Sequence, residues 1–233
     1  MKWRSLEEST CANDVRPLRE IFAERKELIA RYVPAETQAV HERTISELKA
    51  QQLSRRAPQP GSKIAAFTLP DHNGSAVSSD DLLSRGAVVL IFFRGRWCPF
   101  CVGQLEAMNQ VLPQIRAAGA ALIAVSPQTV KQSFFMGDQH KLGFPLLSDE
   151  HCSLARQFGL VYRVPEEQQQ LYRRTMVNLP FVNGDESWDL TIPATFVIDR
   201  EGTILHAWAE ENYMNRPEPA EIVDVLERLN AKS

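Results

Sequence analysis

Arg94-Gly95-Arg96-Trp97-Cys98-Pro99-Phe100-Cys101 is the stretch on which the fold turns. It follows the apolar run 87–93 and precedes apolar residues at helical spacing, which predicts a strand-to-helix turn. Two thiols spaced C-x-x-C at a helix start share one turn, near enough to join as a disulfide without backbone movement. The helix N-terminus has unpaired N–H groups and a partial positive charge that favour thiolate over thiol, and Arg94 and Arg96 are candidates to strengthen that field. Thiolate is the reactive form. The stretch therefore reads as a redox centre, with Cys98 and Cys101 as its sulfurs.

Around this centre the pattern is α/β. The run 87–93 is apolar on both faces, as a central parallel strand requires. A helix is predicted from Pro99, with Leu105, Met108, Val111, Leu112 and Ile115 apolar and Gly119 as C-cap. A second buried strand follows at 120–125, so the thiols stand at the carboxyl end of the first strand of a β-α-β unit, where open α/β sheets place their sites. Upstream, 66–69 reads as a strand, 72–75 as a tight turn, and 78–83 as a short helix with Ser78 and Asp81 at capping-box spacing. Downstream, helices are predicted near 130–140, 151–158 and 166–176, with Phe144-Pro145-Leu146-Leu147 between the first two. Residues 178–192 read as a long loop, 195–208 as a hairpin turning at 199–202, and Ile222, Val225, Leu226 and Leu229 as the stripe of a closing helix.

At the other end, Leu18, Ile21, Phe22, Leu28, Ile29 and Tyr32 recur at spacings of three and four. After Pro34, Val40, Ile45 and Leu48 repeat the pattern, which predicts a helical hairpin over 16–56. Packing against the main domain is the expectation for this hairpin, with a dimerisation or partner-docking arm as the alternative. The linker Ala57-Pro58-Gln59-Pro60-Gly61-Ser62 cannot continue a helix and divides a helical extension, 1–57, from the main domain, 58–233.

Composition narrows the function. The 233 residues are 44% hydrophobic and 24% charged, with formal charge −3, which gives no electrostatic case for nucleic acid or an anionic membrane. Met1 to Thr10 lacks the apolar core of a signal peptide, and no apolar run approaches the roughly 20 residues of a membrane span, so a cytoplasmic protein is expected. Four cysteines are too few for a disulfide scaffold. A zinc site needs four ligands, and no second C-x-x-C or H-x-x-x-H is present beyond the adjacent His151-Cys152, so neither metal nor other cofactor is expected. Cys152 reads as a small buried hydrophobe and Cys11 as an incidental thiol. The histidines lie far from the motif in sequence.

Three motifs in order carry a resemblance: Phe67-Thr68-Leu69-Pro70 with Asn73-Gly74; Phe92 to Cys101; and Ile192-Pro193-Ala194-Thr195-Phe196-Val197-Ile198-Asp199 with Gly202. Together they resemble the thioredoxin-fold superfamily, in its peroxiredoxin-like branch of alkyl hydroperoxide reductase and thiol-specific antioxidant type, over roughly Gly61 to Leu229. The resemblance implies a thioredoxin-like fold, a central mixed sheet flanked by helices, here with an N-terminal helical extension. In peroxiredoxins the peroxide-attacking cysteine lies in T-x-x-C, and an arginine before the late strand stabilises its thiolate. Cys101 falls on the attacking position, Cys98 on that of the threonine, and Pro193 on that of the arginine. Thioredoxins carry W-C-x-x-C and a cis-proline beside the disulfide, as do Trp97-Cys98 and Ile192-Pro193, so that bond is expected to be cis. Arg94, Arg96 and Thr195 are candidates to replace the missing threonine and arginine.

The hybrid implies two mechanisms. In one, Cys101 reduces a hydroperoxide, Cys98 condenses with the sulfenic acid, and thioredoxin or glutaredoxin/glutathione reopens the Cys98–Cys101 disulfide. In the other, Cys98 attacks a disulfide substrate and Cys101 resolves the mixed disulfide. A redox-sensing binding protein without turnover is a third reading. Asp185, Glu186 and Trp188 are candidates to line a substrate groove, and Glu210, Glu211 and Arg216 read as a solvated loop. Many relatives pair as dimers, so likeness suggests a homodimer.

Overall fold

A computed structural model describes residues 14 and 16–231. Cys11 and the stretch Met1 to Thr10 lie outside the described residues. In chain order the elements are α1 Leu18–Tyr32, α2 Ala35–Gln51, α3 Leu53–Arg56, β1 Thr68–Pro70, β2 Ala76–Ser78, α4 Ser79–Arg85, β3 Val88–Phe92, α5 Pro99–Gln110, α6 Leu112–Ala117 and β4 Ala121–Ser126. They continue with α7 Val130–His140, β5 Leu146–Ser148, α8 Ser153–Gln157, β6 Val161–Arg163, α9 Glu166–Arg174, α10 Leu179–Asn183, β7 Asp189–Thr191, β8 Ala194–Ile198, β9 Ile204–Ala209 and α11 Pro219–Asn230.

The main sheet has the order β5-β4-β3-β8-β9, so the apolar run containing β3 is its centre. β3 pairs parallel with β4 and antiparallel with β8, while β8 and β9 form the expected hairpin. Every residue of β3 is buried, because helices cover both faces. One face packs Phe92, Phe158, Phe196 and Tyr172, and the other packs Phe93, Phe100, Leu105 and Ile222. This is the central mixed sheet flanked by helices that the motifs implied.

Register decides what lies beside the thiols. Phe92 stands opposite Ala194, and Ala194 opposite Ala209, so β3 ends, β8 begins and β9 ends at the same edge of the sheet. The turn before α5, Pro193, and the chain leaving β9 therefore converge there. The Glu210 N–H donates to the Pro193 carbonyl at 3.2 Å and fastens that exit.

The N-terminal helices share the cores of the main domain. Leu18 and Phe22 join the α5 side, and Leu48, Leu53 and Ala57 the other. Helix α1 approaches α5 at Gly103, where an added Cβ would lie 2.8 Å from Phe22 Cε1. Buried Arg25 spans the same contact, donating from Nη1 to the Pro99 carbonyl with its guanidinium over the Phe22 and Phe100 rings.

Several local expectations are corrected. The 178–192 segment contains a helix and a strand: the Asn178 side chain accepts from the Phe181 N–H to start α10, and β7 pairs antiparallel with β6. Ser78 is the N-cap of α4 without a side-chain cap bond; Ser79 Oγ instead accepts from the Phe67 N–H at 2.9 Å, so the capping box is not formed. The helix after Pro99 breaks at Val111, since Pro113 cannot continue it, and α6 follows. No cis peptide bond occurs among the described residues, so Ile192-Pro193 is trans.

Candidate active site

The C-x-x-C motif sits where its spacing placed it. Cys98 is the N-cap of α5 and Pro99 its first residue, a position where the missing N–H costs nothing. Cys101 lies in the first turn, and both are free thiols. Gly95, at φ +145°, carries the chain from β3 into this turn; a Cβ there would stand 2.6 Å from Trp97 Nε1. Both thiols are almost wholly enclosed, Cys98 being 1% and Cys101 0% exposed.

The two sulfurs have opposite electrostatics. Cys101 Sγ accepts from the Arg94 backbone N–H at 3.4 Å and from Arg216 Nη2 at 3.3 Å. Burial pushes this thiol up, but a hydrogen bond from the Cys98 thiol, the charges of Arg216 and Arg94, and the Arg94 N–H outweigh burial and bring it to about 5. Burial pushes Cys98 well above the ordinary thiol range, and serving as hydrogen-bond donor to the Cys101 thiolate pushes it the same way; Arg94 and Arg216 only partly offset this. The two directions are opposite: of the pair's two sulfurs, Cys101 is the one whose surroundings favour the thiolate and Cys98 the one whose surroundings favour the thiol.

Arg94 is the group around which the pocket is built. It is 2% exposed, with its guanidinium over the rings of Trp97 and Tyr213 at 4.7 and 4.1 Å. Its Nη2 donates to the Tyr172 hydroxyl and its Nη1 lies 3.9 Å from Cys98 Sγ. Among the described residues no carboxylate pairs with Arg94 or Arg216. A buried guanidinium without a carboxylate is costly unless its N–H groups find other acceptors: Arg216 reaches Cys101 Sγ, while Arg94 has the Tyr172 hydroxyl and Cys98 Sγ.

The sequence candidates divide. Trp97 lies against the Arg94 guanidinium with its ring tilted 60° to that of Tyr172, and Phe100 packs edge-on to Phe22 and Tyr213, so both enclose the thiols. Arg96 does not reach them: its N–H and Nη1 donate to Gln128 Oε1 and Gln132 Oε1, each at 3.0 Å. Thr195 is buried and accepts at 3.2 Å from Gln104 Nε2, one turn beyond Cys101, with no bond to either sulfur. Asp185 pairs with His151 and holds Ser187, while Trp188 lies under the Arg173 guanidinium; none of the groove candidates meets the thiols. Cys152 is a buried core residue whose thiol is pushed up to about 12 by burial first and the charge of Asp149 second.

The reading of 210–216 as a solvated loop is overturned. Arg216 supplies a side-chain hydrogen bond to Cys101, and Glu211 is 6% exposed and accepts from the Ser54 N–H at 2.7 Å. The strap 210–218 is fastened again where Lys26 Nζ donates to Asn215 Oδ1 at 3.0 Å, and where Glu218 accepts from the Leu18 and Arg19 N–H groups at 2.9 and 2.8 Å. Glu218 thereby caps α1. No motif marks Arg216; only the exit of β9 at the thiol edge of the sheet does, and that needs the strand order.

A cavity of about 500 Å³ lies between the N-terminal helices and the thiols. Leu28, Ile29, Tyr32, Val33, Thr37, His41 and Ile45 form one wall; Arg94, Trp97, Cys98, Phe100, Tyr172 and Tyr213 form the other. Its lining is mainly apolar. His41 Nδ1 accepts from Gln168 Nε2 at 3.1 Å, and burial, followed by the Arg94 charge, pushes its imidazole down to about 4, so it is neutral. Among the described residues no cluster of metal-ligating side chains occurs, and no helix is long and apolar enough to cross a membrane.

Comparison with known proteins places the chain in a family. A putative peroxiredoxin of Mycobacterium tuberculosis is 30% identical over 148 residues, 64% of this chain and 83% of its own length. A putative peroxiredoxin of Coxiella burnetii is 27% identical over 151 residues, 64% of this chain and 86% of its own length. Among solved structures, the peroxidoxin BcpB of Mycobacterium tuberculosis superposes with TM-score 0.58 at 21% identity, covering 73% of this chain and 97% of its own. The AhpC of Enterococcus faecalis gives TM-score 0.58 at 19% identity, covering 74% of this chain and 92% of its own. These likenesses establish the thioredoxin-type fold. The model of the AhpC/TSA family matches residues 60–207, which include β3, both thiols and β8, and the chain belongs to that family.

Proposed function

We propose that this protein is a thiol peroxidase in which Cys101 attacks a hydroperoxide and Cys98 resolves the product. The Cys101 thiolate attacks one peroxide oxygen; an S–O bond forms, the O–O bond breaks, and the leaving alkoxide or hydroxide takes a proton. The resulting Cys101 sulfenic acid condenses with Cys98, releasing water and forming the Cys98–Cys101 disulfide. An external thiol reopens it, and family likeness suggests thioredoxin or glutaredoxin/glutathione. The observation that carries this reading is Cys101 Sγ held by the Arg94 N–H and the Arg216 guanidinium, with the Cys98 thiol as its third donor. These donors would take the thiolate-stabilising part of the family's arginine, favouring the ionised, attacking form of Cys101.

Arg94, Trp97 and Arg216 are the supporting residues of this site, with Pro193 at its edge; Arg96 and Thr195 are further out. A thioredoxin-type reaction initiated by Cys98 is disfavoured, because that sulfur keeps its proton. A redox-sensing binding role would draw on the same ionised Cys101, and sustained peroxide turnover is what separates catalysis from it. The helical extension, 1–57, is read as part of the same catalytic unit as 58–233, since Leu48, Leu53 and Ala57 lie in the shared core. A cytoplasmic location and a homodimer belong to the same proposal.

Two serine substitutions test it. Cys101→Ser abolishes peroxide consumption, whereas Cys98→Ser gives one equivalent of sulfenic acid, trapped by dimedone, and no disulfide. Complete loss of reaction in Cys98→Ser, with a protein substrate trapped on Cys101→Ser, would establish the disulfide-exchange mechanism instead.

A further inference from the structure

The reaction cycle needs a reductant, and the cavity between the N-terminal helices and the thiols bears on which one. Cys98 lines this cavity and Cys101 does not. At 1% exposure, Cys98 is approached through the cavity and not across an open surface. We propose that the cavity is the reductant site, taking an uncharged low-molecular-weight dithiol with an apolar body, delivered to Cys98 Sγ. The proposal rests on the reading that Cys98 and Cys101 close into a disulfide.

Size and lining choose the occupant. A space of about 500 Å³ accepts a small molecule but not a folded protein bearing a dithiol. Ile29, Val33, Ile45 and Phe100 offer apolar contact, and Lys26 is already engaged by Asn215. A tripeptide thiol brings two carboxylates and an ammonium, and this mainly apolar lining offers Arg94, already bonded to Tyr172, as a partner for one carboxylate at most, so the rest of its charge would lose hydration uncompensated. A bulky hydroperoxide in the same space would meet the protonated Cys98 first. The wall from Lys26 to Ile45 lies outside the family-matched residues 60–207, so this site is a property of this chain's extension.

In the exchange, a donor thiolate bonds to Cys98 Sγ as the Cys98–Cys101 bond breaks, and the electron pair leaves on Cys101 Sγ, the sulfur better able to carry it. The donor's second thiolate then attacks its own sulfur bound to Cys98, closing a donor disulfide and releasing Cys98, which takes a proton. One dithiol is oxidised and one protein disulfide reduced.

The test oxidises the protein with diamide, which forms the disulfide without peroxide, and follows reduction by intrinsic tryptophan fluorescence. Dihydrolipoamide is expected to react at least about tenfold faster than reduced glutathione at equal thiolate concentration, and faster than reduced thioredoxin. Thr37→Trp, which fills the cavity, is expected to slow dihydrolipoamide about tenfold. Glu27→Trp, on the exposed face of α1 away from the lining, leaves the rate unchanged. Faster reduction by thioredoxin, no effect of Thr37→Trp, or slower oxidation of Thr37→Trp by cumene hydroperoxide with unaltered reduction would each overturn the proposal. Should Thr37→Trp not fold, the ranking of donors on the unsubstituted protein decides alone. Absence of peroxide consumption would instead count against the peroxidase reading, which the diamide route bypasses.

Discussion

Residues 60–207 and the two chain ends contribute differently to one site. The family-matched segment supplies both sulfurs, Arg94, Trp97 and Tyr172, all anchored to β3, α5 and α9. The ends supply Arg216, Tyr213 and the far wall of the cavity. The shared segment thus fixes where the sulfurs stand, while the ends adjust how acidic Cys101 is and what can approach Cys98. A thioredoxin-type scaffold fixes thiol position by backbone geometry, but charge and access depend on whatever packs over the carboxyl edge of its sheet.

The sharpest way to break this division is to remove the strap's charge. Arg216→Met is expected to raise the Cys101 thiolate pKa by roughly one to two units and to slow peroxide reduction about 10- to 100-fold near pH 6. The sign follows from the lowered thiol: above about 5 Cys101 is thiolate, and reactivity is lost as pH falls through that value. In the variant the iodoacetamide pH profile moves to higher pH, and Arg216→Lys restores part of the shift. An unmoved profile would mean Arg94 and the helix terminus suffice.

A smaller effect is expected at the strap's anchors. Glu211→Gln and Glu218→Gln each weaken hydrogen bonds to backbone N–H groups of the N-terminal helices, and each is expected to cost about 1 to 2 kcal/mol in denaturant unfolding. The same variants should raise the Cys101 midpoint slightly; a stability loss with no such rise would make the strap purely structural. Gly103→Ala forces Phe22 aside and is expected to cost about 1 to 3 kcal/mol in thermal unfolding while sparing the dithiol. Least affected is Cys152→Ala, with peroxide consumption intact and a stability change of about 1 kcal/mol or less.

The division also explains what is legible in the chain. The run 87–93, the C-x-x-C and the 195–208 hairpin announce the central strand, the thiols and the edge of the sheet, because period and turn chemistry are local. The pairing of β3 with β8 joins residues about a hundred positions apart and has no local signature, although it brings Arg216 to Cys101. Arg96 is an attractive neighbour in sequence, yet Gln128 and Gln132 draw it outward. The segment 178–192 reads as a loop because its strand is three residues long and gains its order from β6. Pro193 matches the thioredoxin proline in position, though not in isomer.

Glu218 grips the first turn of α1 across 200 positions of sequence, and Glu211 grips α3 across 157. During synthesis the sulfurs therefore emerge long before the arginine that sharpens them. Cys101 therefore has neither this side-chain donor nor the enclosure of the folded site until residues 115 positions further along have packed against it.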